Sequence, residues 1–382
     1  MTSRPFYICS AGVVSAAGTG TASLVAALEN PAWDAPVGLE RPDGPSLPVA
    51  VCRDFSPRNV LPPLVVRRLD RPARLLAVAA REALAAVGEE LPWDRQRVGV
   101  AAGTWNAGTS ALVDVLRAVF LASPEEAPPA QFPSTVANAP ASQLGILERL
   151  GGPNLTFAEK QASGLRALVE AARLLAHRRA VAALACGVDE GDWLNAEGYA
   201  RLGALADRPG RAGMRLGEGA VVLTLAPEPT GTPLARLAGW ASAGSASQPW
   251  LYPDRPDALA GACQRALEAA GCAPSDVDLV LSLANGIPRL GRLELAVLES
   301  VLGRHRPAAL SINERLGDAG FASLLRVAVA GLVLAGRARP AWAPAPHLAA
   351  AGFAPFTTRP RTALVTAMAG GGSCLAAVLA GV

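Results

Sequence analysis

Short apolar runs, glycine-containing turns and small-residue helical stretches alternate along this chain, and Thr156 to Glu190 is the clearest instance. An apolar run there makes an abrupt turn through Glu159-Lys160-Gln161-Ala162-Ser163-Gly164 and continues at helical spacing from about Leu165 to Ala176, before a second apolar run from Ala180 to Gly187. That pattern predicts strand, tight turn, helix and strand. Upstream, Phe6 to Ser15 reads as a strand and glycine loop leading into a helix near Leu24. Pro72 to Val87 carries apolar residues at helical spacing, Arg97 to Thr104 is a buried strand, and the Pro-rich loop from Pro128 feeds a helix near Gly145. Downstream, Val221 to Leu225 is a strand, Ala226 to Pro233 is a linker by composition, and Asp276 to Leu283 is another strand. Leu310 to Ala335 repeats the order of strand, turn and small-residue helix seen after Thr156. We therefore place the boundary between an N-terminal half, residues 1–229, and a C-terminal half, residues 230–382, in that linker.

The longest apolar windows, Leu75 to Val87 and Ala322 to Ala335, are interrupted by Arg81 and Arg326. Neither reaches the roughly 20 residues a membrane-spanning helix requires, so a soluble protein without membrane contact is expected. With 382 residues and 51% hydrophobic content, the chain can bury a large core. Its net charge of +3 is spread out, Lys160 stands alone among many arginines, and no basic block points to nucleic acid. The six cysteines lack any C-x-x-C pair, which favours free thiols in a reducing cytoplasm. The three histidines, His177, His305 and His347, lie far apart, and no metal or other cofactor is expected.

A strand, a tight turn and a helix whose free N–H groups face the turn form the setting of a nucleophile elbow, with an exposed residue at the tip. The tip is Gln161, an amide that donates and accepts hydrogen bonds but cannot attack a carbonyl. The stretch resembles the β-ketoacyl synthases of the thiolase superfamily, whose T-A-C-x-S-G turn leads into such a helix and whose next strand ends in G-G-x-(D/E). Ser163-Gly164 and Gly187-Val188-Asp189-Glu190 match, and Gln161 stands where the family keeps its cysteine. Val98-Gly99-Val100, Gly217-Glu218-Gly219-Ala220 and the opening Gly12 to Ser15 resemble further motifs of that family. The resemblance implies an α/β thiolase fold, in which two similar βαβαβαββ halves pack as an αβαβα five-layer sandwich.

It also implies two histidines. The first falls on Asn285, in Leu283 to Arg289, and the second is best placed at Glu314, in Ser311 to Gly320. All three family catalytic positions thus hold other residues, and no catalytic residue is expected. Such losses fit the chain-length-factor branch, a silent partner that forms a heterodimer with a cysteine-containing ketosynthase and meets acyl carrier protein through that complex. A residual malonyl decarboxylase and a homodimeric acyl-binding protein stand as alternatives.

The remaining candidates have structural readings. Gln161 is expected to satisfy the elbow N–H groups, Ser163 to cap the helix, Glu159 and Lys160 to be solvated or paired locally, and His177 and His305 to be solvated. Gly370-Gly371-Gly372-Ser373 lacks the lysine of a phosphate loop. It resembles the family's G-F-G-G turn, in which Gly371 and Gly372 would aim N–H groups at the elbow.

Overall fold

The computed structural model describes residues 5–40, 45–88, 90–207 and 210–382. In the first half the main elements are strand β1 (Phe6–Ser15), helix α1 (Arg71–Ala85), β2 (Val98–Gly103), α2 (Thr109–Leu121), α3 (Ala139–Glu148), β3 (Asn154–Phe157), α4 (Ser163–Ala176), β4 (Ala182–Asp189) and β5 (Gly219–Ala226). In the second they are β6 (Ala235–Gly244), α5 (Asp257–Ala270), β7 (Leu279–Leu281), α6 (Pro288–Leu302), β8 (Ala308–Leu310), α7 (Ala322–Leu334), β9 (Thr362–Met368) and β10 (Ser373–Ala380).

Local chemistry sets several ends. The Asp70 carboxylate accepts from the Ala73 N–H at 3.0 Å and Pro72 occupies the first turn, so α1 starts there. Helix α5 stops at Gly271, which takes a φ of 63°. The strand expected over Asp276 to Leu283 is shorter, because a 3-10 turn occupies Pro274–Asp276 and leaves Leu279–Leu281 to pair.

The strands run β3-β2-β4-β5-β1 and then β6-β10-β9-β7-β8. The two sets have the same pairing sense in the same order: β2 is parallel to its neighbours β3 and β4, as β7 is to β8 and β9, and the remaining pairs within each set are antiparallel. They join where Phe6, Tyr7 and Ile8 of β1 pair with Leu237, Arg236 and Ala235 of β6. The chain crosses from one set to the other between Ala226 and Ala235.

Most strand positions are buried, as expected for sheets covered on both faces. Helix α1 packs with Val98, Leu184 and Val222 in one core, and α5 and α6 pack with Val280, Leu364 and Val378 in another. Helices α4 and α7 share the central core with inward residues of both sets, such as Leu223 and Leu379. This is the expected five-layer order, with α4 and α7 in the middle layer. They approach so closely that a Cβ on Gly164 would lie 2.8 Å from the Leu324 Cβ. Glycine is therefore required there on steric grounds. Among the described residues no helix is long and apolar enough to cross a membrane.

Candidate functional site

Strand β3 delivers the chain to a 3-10 turn, Lys160–Ala162, and α4 follows directly. The expected elbow is therefore present, and its strained residue is Lys160, with a φ of 50°. Gln161 departs from its expected exposed position: it is 8% exposed. It does not satisfy the elbow N–H groups either, since its Oε1 is buried without a partner. Those N–H groups are used elsewhere. Gly164 N–H donates to the Gly320 carbonyl at 2.9 Å, and Leu165 N–H to Ser323 Oγ at 3.0 Å.

Other expectations about the turn are corrected. Ser163 does not cap α4. Its Oγ donates to the Thr104 carbonyl at 2.8 Å and accepts from the Glu159 N–H at 2.8 Å, tying the turn to β2. Glu159 and Lys160 are not a couple: Glu159 pairs with Arg166 at 2.8 Å, and Lys160 Nζ donates to the carbonyls of Pro249 and Gly370, the latter at 3.0 Å. The glycine turn meets the elbow through that Gly370 carbonyl. The N–H of Gly371 donates to Leu251 O at 3.1 Å and that of Gly372 to Ala369 O at 3.1 Å, so neither is free to face Gln161. His305 is half-buried with Nε2 2.8 Å from Val277 O, whereas His177 is exposed at the end of α4.

Asn285 is fully engaged. Its Nδ2 donates to Asp318 Oδ2 at 2.7 Å and to the Tyr252 hydroxyl at 3.1 Å, and its Oδ1 accepts from Ile287 N–H at 3.1 Å. Burial pushes the Asp318 carboxyl up to about 6, opposed by the Asn285 hydrogen bond and the charge of buried Arg326. Arg326 donates to the Thr366 carbonyl at 2.9 Å. Glu314 is half-buried, its carboxyl raised by burial and by the charge of Glu294, with His347 and Arg315 acting the other way. The His347 Nε2 lies 3.0 Å from Glu294 Oε2, which Ser282 Oγ also contacts.

Asp318, Arg326 and Tyr252 escaped the sequence reading. Arg326 had left one signal, a single charge inside an otherwise apolar helix. Among the described residues no group of His, Cys, Asp and Glu is placed to hold a metal ion.

A cavity of about 280 Å³ opens beside Gln161. Its walls include Tyr199, Leu202, Met214, Leu251 and Ile287, with Lys160 and Arg289 among its polar groups. An amide, a half-buried carboxylate and a locked asparagine can hydrogen-bond or repel charge. They cannot form a thioester, and they hold no imidazole to stabilise an enolate.

Known proteins resemble this chain in sequence and fold. The pattern of the β-ketoacyl synthase N-terminal domain matches residues 59–230, and that of the C-terminal domain residues 234–330. The chain is similar to the tetracenomycin polyketide synthase ketoacyl synthase beta subunit of Streptomyces glaucescens, with 30% identity over 81% of this chain and 79% of that one. It is also similar to 3-oxoacyl-[acyl-carrier-protein] synthase 2 of Coxiella burnetii, with 27% identity over 80% of this chain and 79% of the other. The solved structure of the ishigamide ketosynthase/chain length factor superposes with a TM-score of 0.86 at 20% identity, covering 99% of both chains.

Proposed function

The chain belongs to the β-ketoacyl synthase family, and from that premise we propose that it is a catalytically silent subunit, the chain-length factor of a type II polyketide or polyene synthase. One observation carries the reading: Gln161, Asn285 and Glu314 stand where the family resemblance puts one cysteine and two histidines. Decarboxylative condensation needs a thiolate to hold the growing chain and neutral or cationic donors to stabilise the enolate as carbon dioxide leaves. Gln161 offers no nucleophile. The donor group of Asn285 is already spent on Asp318 and Tyr252. A Glu314 carboxylate would oppose the developing negative charge rather than stabilise it.

Such a chain acts through a partner. A stripe of apolar residues supports this: Leu112, Leu116 and Phe120 are exposed at four-residue spacing along one side of α2. Exposed Phe132 and Val136 extend it toward α3, and β3 beyond them is an edge strand. An exposed apolar surface of that kind fits a subunit contact. The expected interface is hydrophobic and of the obligate class, above about 2,000 Å². The partner supplies the cysteine and receives substrates from an acyl carrier protein, and this chain closes one side of the cavity in which the product grows.

The test is native mass spectrometry of this chain alone and together with the cysteine-bearing synthase encoded beside it. A one-to-one complex is the expected result. A stable homodimer that ignores the synthase would overturn the assignment, and release of carbon dioxide from malonyl carrier protein by the chain alone would replace it with a decarboxylase.

A further inference from the structure

Three side-chain oxygens that are buried without a hydrogen-bond partner flank one element, the strand β3: Gln143 Oε1, Thr156 Oγ1 and Glu159 Oε2. Among the described residues this strand pairs with β2 alone, so its other edge is open. Asn154 Nδ2 donates to the Ala141 carbonyl of α3 at 2.9 Å. Thr156, two residues on, shares that face of the strand, and Gln143 follows Ala141 on α3. Glu159 stands just past the end of the strand. Its Oε1 accepts from Arg166 Nε at 2.8 Å, and Arg166 also faces Glu170 at 3.6 Å, which leaves Glu159 Oε2 unserved. All three side chains are only half-buried, so turning one torsion brings each oxygen to the surface. An oxygen left without a donor costs about 1–3 kcal/mol, and several along one open edge call for a cause.

We propose that these oxygens are the acceptor half of the subunit contact, and that the partner meets them with N–H and O–H donors, including an arginine or lysine at Glu159. The inference rests on the subunit reading above and adds what selects the partner. A second copy of this chain, packed about a two-fold axis on the β3 edge, would bring the same groups to the same patch. Its Glu159 would add like charge, and its Arg166 is already shared between two carboxylates. Self-pairing is thereby disfavoured, and a synthase that carries donors at this edge is favoured.

The test is titration of the full chain with the cysteine-bearing synthase encoded beside it, at low and at high salt. Glu159→Gln is expected to weaken the complex about tenfold at low salt and to flatten its salt dependence. Thr156→Val with Gln143→Met, which removes two of the oxygens at similar volume, should also weaken it about tenfold while leaving the melting temperature of the isolated chain unchanged or higher. Native mass spectrometry of the lone chain should show more homodimer for Glu159→Gln than for the unmodified sequence, a readout that needs no synthase. A complex indifferent to these substitutions, or a lone chain that self-associates as strongly before Glu159→Gln as after it, would overturn the proposal while leaving the subunit assignment in place. No complex between the unmodified chain and the synthase would instead remove the subunit assignment, and this proposal with it.

Discussion

The carboxylate of Asp189, at the end of β4, accepts the Phe321 N–H at 2.7 Å and thereby ties the first half of the chain to the start of α7 in the second. Its other oxygen accepts from Trp105 N–H at 2.5 Å, Asn106 N–H at 3.0 Å and Thr104 Oγ1 at 3.1 Å. Every neighbour is a donor. Asp189→Asn turns one acceptor into a donor aimed at donors, and a cost of about 2–3 kcal/mol is expected. Chemical denaturation at neutral pH measures it; a change below half a kilocalorie, about 0.5 kcal/mol, would refute the role given to this residue.

Glu190 predicts a pH dependence. Its carboxyl is raised from 4.5 to about 7, chiefly by burial, with the charges of Asp192 and Asp70 adding and hydrogen bonds from Ser110 opposing. A raised carboxyl favours the protonated folded form. Its contribution is therefore fully present below pH 4.5 and is lost as pH rises through about 7. Glu190→Gln should flatten the fall in melting temperature across that window, recovering on the order of 2 kcal/mol at its alkaline end. Asp189 and Asp318, both pushed up to about 6 by burial, remain and keep part of the slope. Parallel melting profiles for the two proteins would contradict the assignment.

The contact between α4 and α7 has no room for a methyl group. A Cβ on Gly164 would meet Leu324 Cβ at 2.8 Å and Gly320 O at 2.9 Å. Gly164→Ala is expected to destabilise by about 1–3 kcal/mol through overpacking. Thermal unfolding against Gly198→Ala, where an added Cβ meets nothing within 4 Å, isolates the packing term.

Restoring the thiol alone should not restore chemistry. Gln161→Cys places sulfur at the elbow, but Asn285 stays locked to Asp318 and Glu314 keeps its carboxyl. No condensation product is expected from this variant with acyl and malonyl carrier proteins, by mass spectrometry of the products. Turnover by the single variant would overturn the proposal that this chain is catalytically silent for want of imidazoles.

The stripe on α2 predicts which substitutions would break the proposed complex. Phe120, 77% exposed, is the last of its positions on α2, and Phe120→Asp together with Leu116→Asp should weaken pairing with the synthase by at least about a hundredfold. The variant's own melting temperature should change little, because neither side chain is buried within the chain. Undiminished pairing would move the interface elsewhere.

Features carried by neighbouring residues could be read without coordinates. The apolar run to Phe157, the turn at Lys160 to Ala162 and the small-residue helix after Ser163 follow from local periodicity. The resemblance to the family, carried by Ser163-Gly164 and Gly187 to Glu190, is what led us to expect Gln161 in the cysteine position and Asn285 and Glu314 in the histidine positions. The repeat after Leu310 likewise announced the second set of strands. The tertiary structure decided everything that depends on residues distant in sequence. Asn285 is held by Asp318 and Tyr252, Asp189 by Phe321, and Lys160 by carbonyls at Pro249 and Gly370. Ser163 looked like a helix cap because the capping preference is local, yet burial against β2 turned its hydroxyl to Thr104. Periodicity records which face of an element is apolar. Which buried polar groups meet, and whether Gln161 is left without a partner, is set only when the two halves close on one another.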